Sequence, residues 1–419
     1  MTQTHSLALR GSRFPSHLRR SSTGIEPDLN FRNGPPSIAI LAPVQESLNP
    51  KGYAGTERVI RGLAKGLFDL GIRADVFASG DSEEIREYAN LHAITPVSLR
   101  SVQRFREDVA LRELMTLPIS MRAFRMMAQM PSLKIISNHM GFQALPAAQM
   151  SPLPIVTTIH GDIKYPAERE MYEQAEDHRF ISISDSQRRA MPELNYMSTV
   201  HNPIEAELFN PRFGREIGSV WPGHIDMQAG SYLAWIGRFS AVKRPHVAIE
   251  TAMLAGMRIV LAGKREVHES DYWDAKIQPL LEKYGDRVVL LGELDDQEKG
   301  LLYRGARALL FPIDWEEPFG LVGPEAMACG TPVIATRMGA VPEWLVDGKT
   351  GYIVDPIEDE VKLAEVMAAR VAVVGNLSRH ACREHVVANF GTTAVAKKYL
   401  ASFNQVIASH WGHRLVAHA

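Results

Sequence analysis

Short runs of apolar and β-branched residues alternate along most of this chain with segments of helical character. The first series of runs is SIAILAPV (37–44), ADVFASG (74–80), KIISNHM (134–140), PIVTTIHG (154–161) and RFISIS (179–184). Runs of this length and composition predict buried strands. Because helical segments separate them, the strands are expected to be parallel and joined by crossover helices. The sequence therefore predicts an α/β fold.

A second series of such runs follows residue 230, and it predicts a second sheet. Its members are SYLAWIGRF, MRIVLAG, RVVLLGEL, ALLFPI, TPVIAT and GYIVD. The stretch between the two series has scattered prolines and glycines and no clear period, which is typical of a linker. We therefore expect two doubly wound, Rossmann-like domains that face each other across a cleft. The predicted parts are a first domain at 37–205, a linker at 206–230, a second domain at 231–392 and a C-terminal helix at 393–419 that crosses back to the first domain.

The first 36 residues have a different composition. Met1 to Ile25 contains four arginines and several serines but no acidic residue, and it has little apolar periodicity. This composition predicts a disordered extension over 1–36. A transit peptide has the same composition, and an added leader is a further alternative.

Charge and cysteine content exclude several classes of protein. The formal net charge is −2, so the chain has no overall basic field of the kind that nucleic-acid-binding proteins use. Its two cysteines form neither a disulfide framework nor a CxxC metal-binding pair. The sequence has no apolar run of the roughly 18 residues that indicate a membrane span. We expect a cytoplasmic protein without nucleic-acid partners.

In the first domain, the loops that follow the predicted strands contain two candidate site residues. Gly55 precedes a helical pattern and would let backbone amides approach an anion at the helix start, with Thr56 as the predicted N-cap. His160 follows the strand PIVTTI, which places an imidazole at the carboxyl end of a strand. Ligands of open α/β sheets bind at these strand ends. A tight turn and a structural histidine are the alternative interpretations.

The second domain has a cationic loop and an acidic pair. Gly237 and Arg238 follow the strand SYLAWI directly, and Lys243 lies in the same loop, so the two cations are suited to a diphosphate. In WEEPFGLVGPEAMACGTPVIA (315–335), Glu317 lies in a loop after a strand and Glu325 lies one turn into the next helix. Glu325 is placed to accept hydrogen bonds from vicinal hydroxyls. Stabilisation of the helix dipole is the alternative role for this residue.

These motifs resemble those of a known enzyme family. The spacing Glu317-x7-Glu325 within EPFGLVGPEAMACGTPVIA, followed by GAVPEWLVDGKTGYIV (339–354), is similar to the signature of the retaining glycosyltransferases of the GT4 family, also called glycosyl transferases group 1. The resemblance extends over nearly all of the chain after residue 36. It implies the GT-B fold and the transfer of a hexose from a nucleotide-diphosphate sugar to a hydroxyl acceptor.

The resemblance also implies a role for each candidate residue. Glu325 would bind the ribose hydroxyls of the donor, while Glu317 and His160 would contact the transferred sugar. Arg238 and Lys243 would stabilise the departing diphosphate, with Gly55 and Gly237 facing it. Further donor contacts would come from two turns, whose members are Glu293, Leu294, Phe319, Gly320 and Leu321.

The resemblance implies a metal-independent reaction with no cofactor other than the nucleotide sugar. Asp295 and Asp296 are predicted to cap the N-terminus of the helix that follows them and not to bind a metal ion. UDP-glucose is favoured as the donor, with GDP-mannose next, because UDP-glucose is the commoner donor in the family. The chain differs from the common family pattern at Arg244-Pro245, Gly323-Pro324 and Gly339-Ala340.

Two other functions are compatible with the same fold, and the acceptor is left open. One is a catalytically silent nucleotide-sugar-binding protein, and the other is a nucleotide-sugar epimerase with the GT-B fold. The acceptor can be a saccharide, a lipid-linked sugar or a small molecule. The segment 99–130 is rich in arginine and methionine, and it is interpreted either as a solvated helix face over the core or as a peripheral membrane contact.

Overall fold

A computed structural model describes residues 37–50, 52, 54–175, 177–210, 230–265 and 269–416 of the 419-residue chain. The predicted extension (1–36) and most of the predicted linker (211–229) lie outside the described residues. The predicted crossing helix is described up to Val416.

Two parallel sheets form the core of the described chain, and they confirm the predicted α/β fold. The first has the strand order β3-β2-β1-β4-β5-β6-β7, and the second has the order β10-β9-β8-β11-β12-β13. The strands of the first sheet are β1 (Ser37–Leu41), β2 (Asp75–Ser79), β3 (Asn90–Thr95), β4 (Leu133–Asn138), β5 (Ile155–Ile159), β6 (Arg179–Ser182) and β7 (Tyr196–Thr199). Those of the second sheet are β8 (Tyr232–Ile236), β9 (Arg258–Ala262), β10 (Val288–Leu290), β11 (Leu309–Phe311), β12 (Val333–Thr336) and β13 (Gly351–Val354).

Helices connect the strands and cover both faces of each sheet. Those in the first half are α1 (Gly55–Asp69), α2 (Gln103–Glu107), α3 (Val109–Met127), α4 (Leu145–Ala148), α5 (Pro166–Glu173) and α6 (Asp185–Arg188). Those in the second half are α7 (Pro245–Leu254), α8 (Ser270–Tyr272), α9 (Gln278–Tyr284), α10 (Asp296–Gly305), α11 (Val322–Ala328), α12 (Val341–Trp344), α13 (Glu360–Val373), α14 (Arg379–Phe390) and α15 (Thr392–Val416). None of the helices within the described ranges combines the length and hydropathy that crossing a membrane requires.

The central strands are buried on both faces. In β1, Ile38 and Ile40 belong to one hydrophobic cluster, whereas Ala39 and Leu41 belong to the cluster on the opposite face. The strand β8 is divided in the same way between two clusters of the second half. A parallel sheet covered by helices on both faces needs such continuously apolar strands. This is why the apolar runs in the sequence identify the central strands.

The edge strands β3 and β7 were missing from the sequence prediction. Both lie at the outer edges of the first sheet. The sequence of β7 is YMST, and all four of its residues are only partly buried. Edge strands pair on one side only and need no continuous apolar run, so their sequences carry a weaker signal.

The strand order reverses next to β1 in the first sheet and next to β8 in the second. The strand β1 pairs with both β2 and β4, and β8 pairs with both β9 and β11. At such a reversal the loops that leave the carboxyl ends of the two central strands diverge and open a crevice. The loop before α1 and the loop from Gly237 to Lys243 follow these two central strands. The topology therefore places both loops beside a crevice.

The segment 99–130 forms α2 and α3 on the outer side of the first sheet. Ile119, Ala123 and Met127 of α3 pack into the core. Leu114 and Met121, on its other side, are 70% and 52% exposed. The helix thus has a core-facing side, as the first interpretation expects, and peripheral membrane contact stays a prediction.

The long helix α15 completes the core of the first half. Its residues Tyr399 and Phe403 are fully buried in the same cluster as Ile60 and Leu63 of α1. The two helices approach most closely at Gly66, where an added Cβ would overlap the carbonyl oxygen of Thr392. The contact between α1 and α15 therefore depends on the absence of a side chain at Gly66.

A network of ion pairs joins the first half to the second. Asp296 at the start of α10 accepts hydrogen bonds from Arg58 Nε (2.6 Å) and Arg61 NH2 (2.8 Å) of α1. Lys299 lies 3.0 Å from the same carboxylate. Burial alone would raise the pKa of Asp296, but the cations of Lys299, Arg58 and Arg61 pull it well below its ordinary value. The negative charge of Asp296 is therefore held where three cations converge.

Replacing Gly66 by alanine should weaken the packing of α15 on α1. The new methyl group forces the helices apart, and overpacking of this kind costs about 1–3 kcal/mol. We expect a lower thermal unfolding midpoint for Gly66→Ala. The matched control is Gly300→Ala in α10, where the nearest atom to a new Cβ is 3.4 Å away. Because alanine favours a helix over glycine by about 1 kcal/mol, this control should keep or raise its midpoint. Equal changes in the thermal unfolding midpoint of the two variants would contradict the close contact of the helices at Gly66.

Asp296→Asn should destabilise the contact between the two halves. It leaves three largely buried cations without their shared carboxylate, and breaking a buried ion pair costs about 3–5 kcal/mol. The urea midpoint at neutral pH should fall. Because the folded-state pKa is lowered, the contribution of Asp296 is present above about pH 4 and is lost as the pH falls through the folded-state value. The difference in urea midpoint between the parent and the variant should therefore narrow only at acidic pH.

The control for this experiment is Asp295→Asn. Asp295 is the adjacent residue and the N-cap of α10, a position where asparagine serves about as well as aspartate. Its substitution removes the same charge without touching α1, so its midpoint should stay close to that of the parent. An equal loss in both variants would show that the ion pairs contribute no more than helix capping.

Candidate active site

The loops at the carboxyl ends of the strands from both halves enclose two neighbouring cavities. The larger, of about 580 Å³, contains nine of the twelve predicted site residues: Gly55, His160, Gly237, Arg238, Lys243, Glu317, Phe319, Gly320 and Leu321. The smaller, of about 100 Å³, is lined by the other three, Glu293, Leu294 and Glu325, and also by Gly55, Gly237 and Leu321. The fold thus brings together all the residues that the sequence selected, and their roles stay predictions.

The backbone of the loop after β8 packs tightly against a second backbone segment beside the larger cavity. At Gly263, with φ of +141°, an added Cβ would overlap the carbonyl oxygen of Gly237. Only glycine permits this contact. Beyond Gly237, the side chain of Lys243 donates a hydrogen bond to Glu317 and lies 4.9 Å from the centre of the Trp315 ring. The two oppositely charged residues are therefore paired at the wall of the larger cavity.

Glu317 is held by its backbone as well as by its side chain. The amide of Ala340 donates to the Glu317 carbonyl at 2.9 Å. At Gly339, with φ of +55°, a Cβ would overlap the Glu317 backbone. The indole nitrogen of Trp315 donates to Oε2 of Glu317 at 3.0 Å. These contacts fix the carboxylate at the edge of the sheet.

The positions that depart from the family pattern differ in backbone conformation. Arg244 adopts a left-handed conformation, with φ of 47°, which is easiest for glycine, and its guanidinium donates to Asp314. Ala340 has an ordinary φ of −80° and does not need to be glycine. At Gly323 a Cβ would overlap the Trp344 ring. Ala340 and Gly323 therefore suit their positions, whereas the conformation of Arg244 is strained.

The second carboxylate, Glu325, lies inside α11. Its exposed fraction is 3%. Both of its oxygens accept hydrogen bonds from Lys299 Nζ at 3.0 Å, and the Tyr303 hydroxyl donates to Oε2 at 3.1 Å. Gly330, with φ of +77°, follows the helix end. A buried carboxylate that has a cation and a hydroxyl donor is charged and oriented.

In the first half, a chain of hydrogen bonds ends at His160. Its Nε2 lies 2.9 Å from Nδ1 of His139, and Nε2 of His139 lies 2.9 Å from the Ser137 hydroxyl. Burial lowers the pKa of His160 to about 4. Burial and the neighbouring His160 lower the pKa of His139 as well. His160 therefore presents an uncharged, oriented imidazole to the larger cavity at neutral pH.

The helix α1 begins at the cleft without a side-chain cap. The structure has Ala54 as the N-cap, so the prediction of Thr56 as the N-cap is wrong. The helix starts two residues earlier than the sequence pattern indicated, since Gly55 is its first residue. Ala54 has no side-chain acceptor for the first amides of the helix, which lie at the boundary between the two cavities, where an anion would find donors. Gly52, just before the helix, lies against Glu293, since an added Cβ would be 2.7 Å from Oε2.

Several residues of the site carried no signal in the sequence. Lys299, Tyr303 and His139 each contact a predicted site residue that lies 21 to 26 positions away along the chain. Asp295 caps α10 through a reciprocal pair of hydrogen bonds with Glu298, as predicted. Asp296 does not cap the helix, and its side chain turns to α1. Within the described ranges, no three histidine, cysteine or acidic residues are grouped as metal ligands.

Two family models match the chain, one in each half. "Glycosyltransferase Family 4" matches residues 53–208, and "Glycosyl transferases group 1" matches residues 229–371. The two matches together include every strand of both sheets except β1, and most of the loops that line the cavities.

Curated relatives match over part of their length. A D-inositol 3-phosphate glycosyltransferase of Mycobacteroides abscessus is 29% identical over 214 residues, which are 50% of this chain and 47% of that protein. The protein of the same name from Mycobacterium bovis is 28% identical over 294 residues, 62% of this chain and 59% of that protein. The chain thus spans about half to three fifths of the length of these curated relatives.

Solved structures match over almost the whole chain. Sucrose-phosphate synthase from Thermosynechococcus elongatus has a TM-score of 0.67 at 21% identity, and the match covers 90% of this chain and 100% of that one. The Anabaena protein HepE in complex with UDP-glucose has a TM-score of 0.64 at 17% identity, covering 89% and 99%. These matches show the GT-B fold. The two family models, which together match most of the chain, show that it belongs to the glycosyltransferases of group 1 and family 4.

Proposed function

We propose that this protein transfers a hexose from a nucleotide-diphosphate sugar to a hydroxyl acceptor, with retention of the anomeric configuration and without a metal ion or other cofactor. UDP-glucose is the favoured donor, and GDP-mannose is next. The observation that carries the proposal is the convergence of two cations and two carboxylates from the second half on the uncapped start of α1.

The diphosphate of the donor needs positive charge and hydrogen-bond donors. Arg238 and Lys243 line the larger cavity, and the first amides of α1 lie at its border with the smaller one, beside Gly55. In a site with little water, cations and oriented amides stabilise the charge that develops on a leaving diphosphate. They would supply the stabilisation that a metal ion provides in other transferases. Lys243 would exchange its bond to Glu317 for one to the phosphate.

The nucleoside would occupy the smaller cavity. Glu325 is buried and fixed by Lys299 and Tyr303, and it is placed to accept hydrogen bonds from the two ribose hydroxyls. Glu293 and Leu294 line the same cavity and would border the base. The smaller cavity thus has the acceptor groups for a ribose and an apolar wall for a base.

The transferred sugar would occupy the larger cavity between Glu317 and His160. Retention requires the acceptor hydroxyl to attack on the face from which the diphosphate departs. The bond from the anomeric carbon to the phosphate oxygen breaks, the bond to the acceptor oxygen forms, and the acceptor proton passes to the leaving phosphate. This step needs no protein nucleophile. Positioning and charge stabilisation would be the main contributions of the protein.

Named relatives support the choice of donor and acceptor. HepE was solved with UDP-glucose, which favours that donor. The curated relatives are named D-inositol 3-phosphate glycosyltransferases. Their name favours a small hydroxylated acceptor over a lipid-linked one.

The test of this proposal is the release of nucleoside diphosphate from a panel of UDP-, GDP- and ADP-sugars without an acceptor. We expect slow release of UDP from UDP-glucose that EDTA leaves unchanged. Binding of each donor is measured in parallel by calorimetry. Binding without release from any donor would overturn the transferase proposal in favour of a silent binding protein. Loss of release in EDTA would overturn the metal-independent mechanism.

Glu325→Gln should weaken donor binding. The substitution removes a charged hydrogen-bond acceptor, and bonds to charged groups contribute about 1.5–3 kcal/mol, so KM for the donor should rise about tenfold or more. Because the ribose is held equally in ground and transition states, kcat should change less. The control is Glu316→Gln, a 61% exposed side chain in the loop before α11, which should keep the parental KM. An unchanged KM in Glu325→Gln would contradict the ribose assignment.

A further inference from the structure

The larger cavity contains a buried carboxyl group that the proposed donor site does not use. Glu57, in the first turn of α1, is 6% exposed and lines this cavity with His160 and Arg238. Apart from a bond to its own backbone amide, its side chain makes no hydrogen bond or ion pair with any described residue. A carboxyl group buried without a cation is costly unless it has a function or is neutral.

Helix capping does not account for this residue. Glu57 occupies the third position of α1, where glutamate commonly reaches back to the N-cap amide as half of a reciprocal pair. In α10 this pair is present, because Asp295 and Glu298 bond to each other's backbone amides. In α1 the N-cap is Ala54, which has no side chain to complete such a pair. The carboxyl group of Glu57 is instead part of the cavity wall.

The surroundings hold Glu57 near the midpoint of its titration at neutral pH. Burial, with a smaller contribution from Glu46, raises its pKa to about 7, although the bond to its own backbone amide and the cations of Arg100 and Arg58 act in the opposite direction. Across the cavity the ionisable groups are Asp162, His160, Arg238 and the pair Lys243 and Glu317. With a pKa near 4, His160 does not titrate in the same range. A bound diphosphate would raise the pKa of Glu57 again, because it brings negative charge to the start of α1.

We propose that Glu57 binds the acceptor, through a hydroxyl next to the one that attacks, so that the acceptor is a sugar or polyol with neighbouring hydroxyls. This inference rests on the proposed function. If the diphosphate is bound at the start of α1, attack on its own face brings the acceptor beside the first turn of that helix. Glu57 lies in that turn, two residues beyond Gly55. Its carboxylate can accept a hydrogen bond from an acceptor hydroxyl, while the attacking hydroxyl keeps its proton for the leaving phosphate.

The test compares Glu57→Gln with the parent in two reactions of UDP-glucose. The first is hydrolysis without an acceptor. The second is transfer to a panel of acceptors, which are glucose, myo-inositol, glycerol, the monophosphates of glucose and myo-inositol, and butanol as an alcohol with a single hydroxyl. We expect hydrolysis at least as fast as that of the parent and a KM for the donor no higher, because the variant removes negative charge beside the diphosphate. The KM for the polyol acceptors should rise about tenfold or more, as for the loss of a charged hydrogen bond.

The pH profile separates this role from a structural one. Only the ionised carboxylate accepts the bond at full strength, so the acceptor KM of the parent should fall as the pH rises through about 7 or above. Glu57→Gln should lose this dependence, and Glu57→Asp, which keeps a carboxylate, should retain it. The matched control is Glu298→Gln, a glutamate at the same position of α10, which should behave as the parent throughout.

Each result supports or overturns the assignment of Glu57 to acceptor binding. If the parent hydrolyses no donor, the proposed function fails and this inference fails with it. If hydrolysis is present, four results overturn the inference alone: transfer to none of the polyols, butanol as good an acceptor as they are, an unchanged acceptor KM in Glu57→Gln, or a pH dependence that persists in that variant. A raised acceptor KM with undiminished hydrolysis, and the loss of the pH dependence, support it.

Discussion

The ion pairs between α1 and α10 are the interaction on which the candidate site depends most. Asp296 binds Arg58 and Arg61 of the first half, and Lys299 lies between Asp296 and Glu325. The same lysine therefore contacts both the carboxylate that joins the two halves and the carboxylate proposed to bind the ribose. A larger distance between the halves would withdraw Arg58 and Arg61 from Asp296 and leave Lys299 as the cation beside both carboxylates. The contact between the halves and the surroundings of Glu325 therefore share one side chain.

Close backbone contacts are a second constraint, and they position the other carboxylate of the site, that of Glu317. Glu317 is placed by the turn at Gly339, and the loop that carries Lys243 is placed by the contact of Gly263 with Gly237. At Arg244 the chain accepts a left-handed conformation in a residue other than glycine, which costs about 1–2 kcal/mol. The bond from Arg244 to Asp314 offsets part of this cost. Strain in the loop is thus compensated next to the residues that would bind the diphosphate.

The sequence predicted those parts of the fold whose signal is local. All six strands of the second sheet were found, because strands buried on both faces are continuously apolar. The edge strand β7 was missed because its four residues are only partly buried. The same limit explains why the sequence predicted the role of Asp295 and not that of Asp296, although the two residues are adjacent and identical. Capping by Asp295 is a local event, whereas the partner of Asp296 on α1 lies 238 residues away along the chain, and no local pattern indicates it.

The sequence could not predict the charge states of side chains in the cleft, because these states depend on burial in the folded protein. Glu57 is one acid among many in the sequence, and His160 was selected only for its place after a strand. In the structure, burial moves the pKa of Glu57 up to about 7 and that of His160 down to about 4. Among the ionisable groups of the first half that line the cavity, His160 is then neutral and Glu57 is only partly ionised at neutral pH, while the second half presents Arg238, Lys243 and Glu317. Such a division suits a reaction in which negative charge leaves on the donor side. A fully charged carboxylate beside the departing diphosphate would oppose the separation of charge, and partial protonation of Glu57 reduces this repulsion.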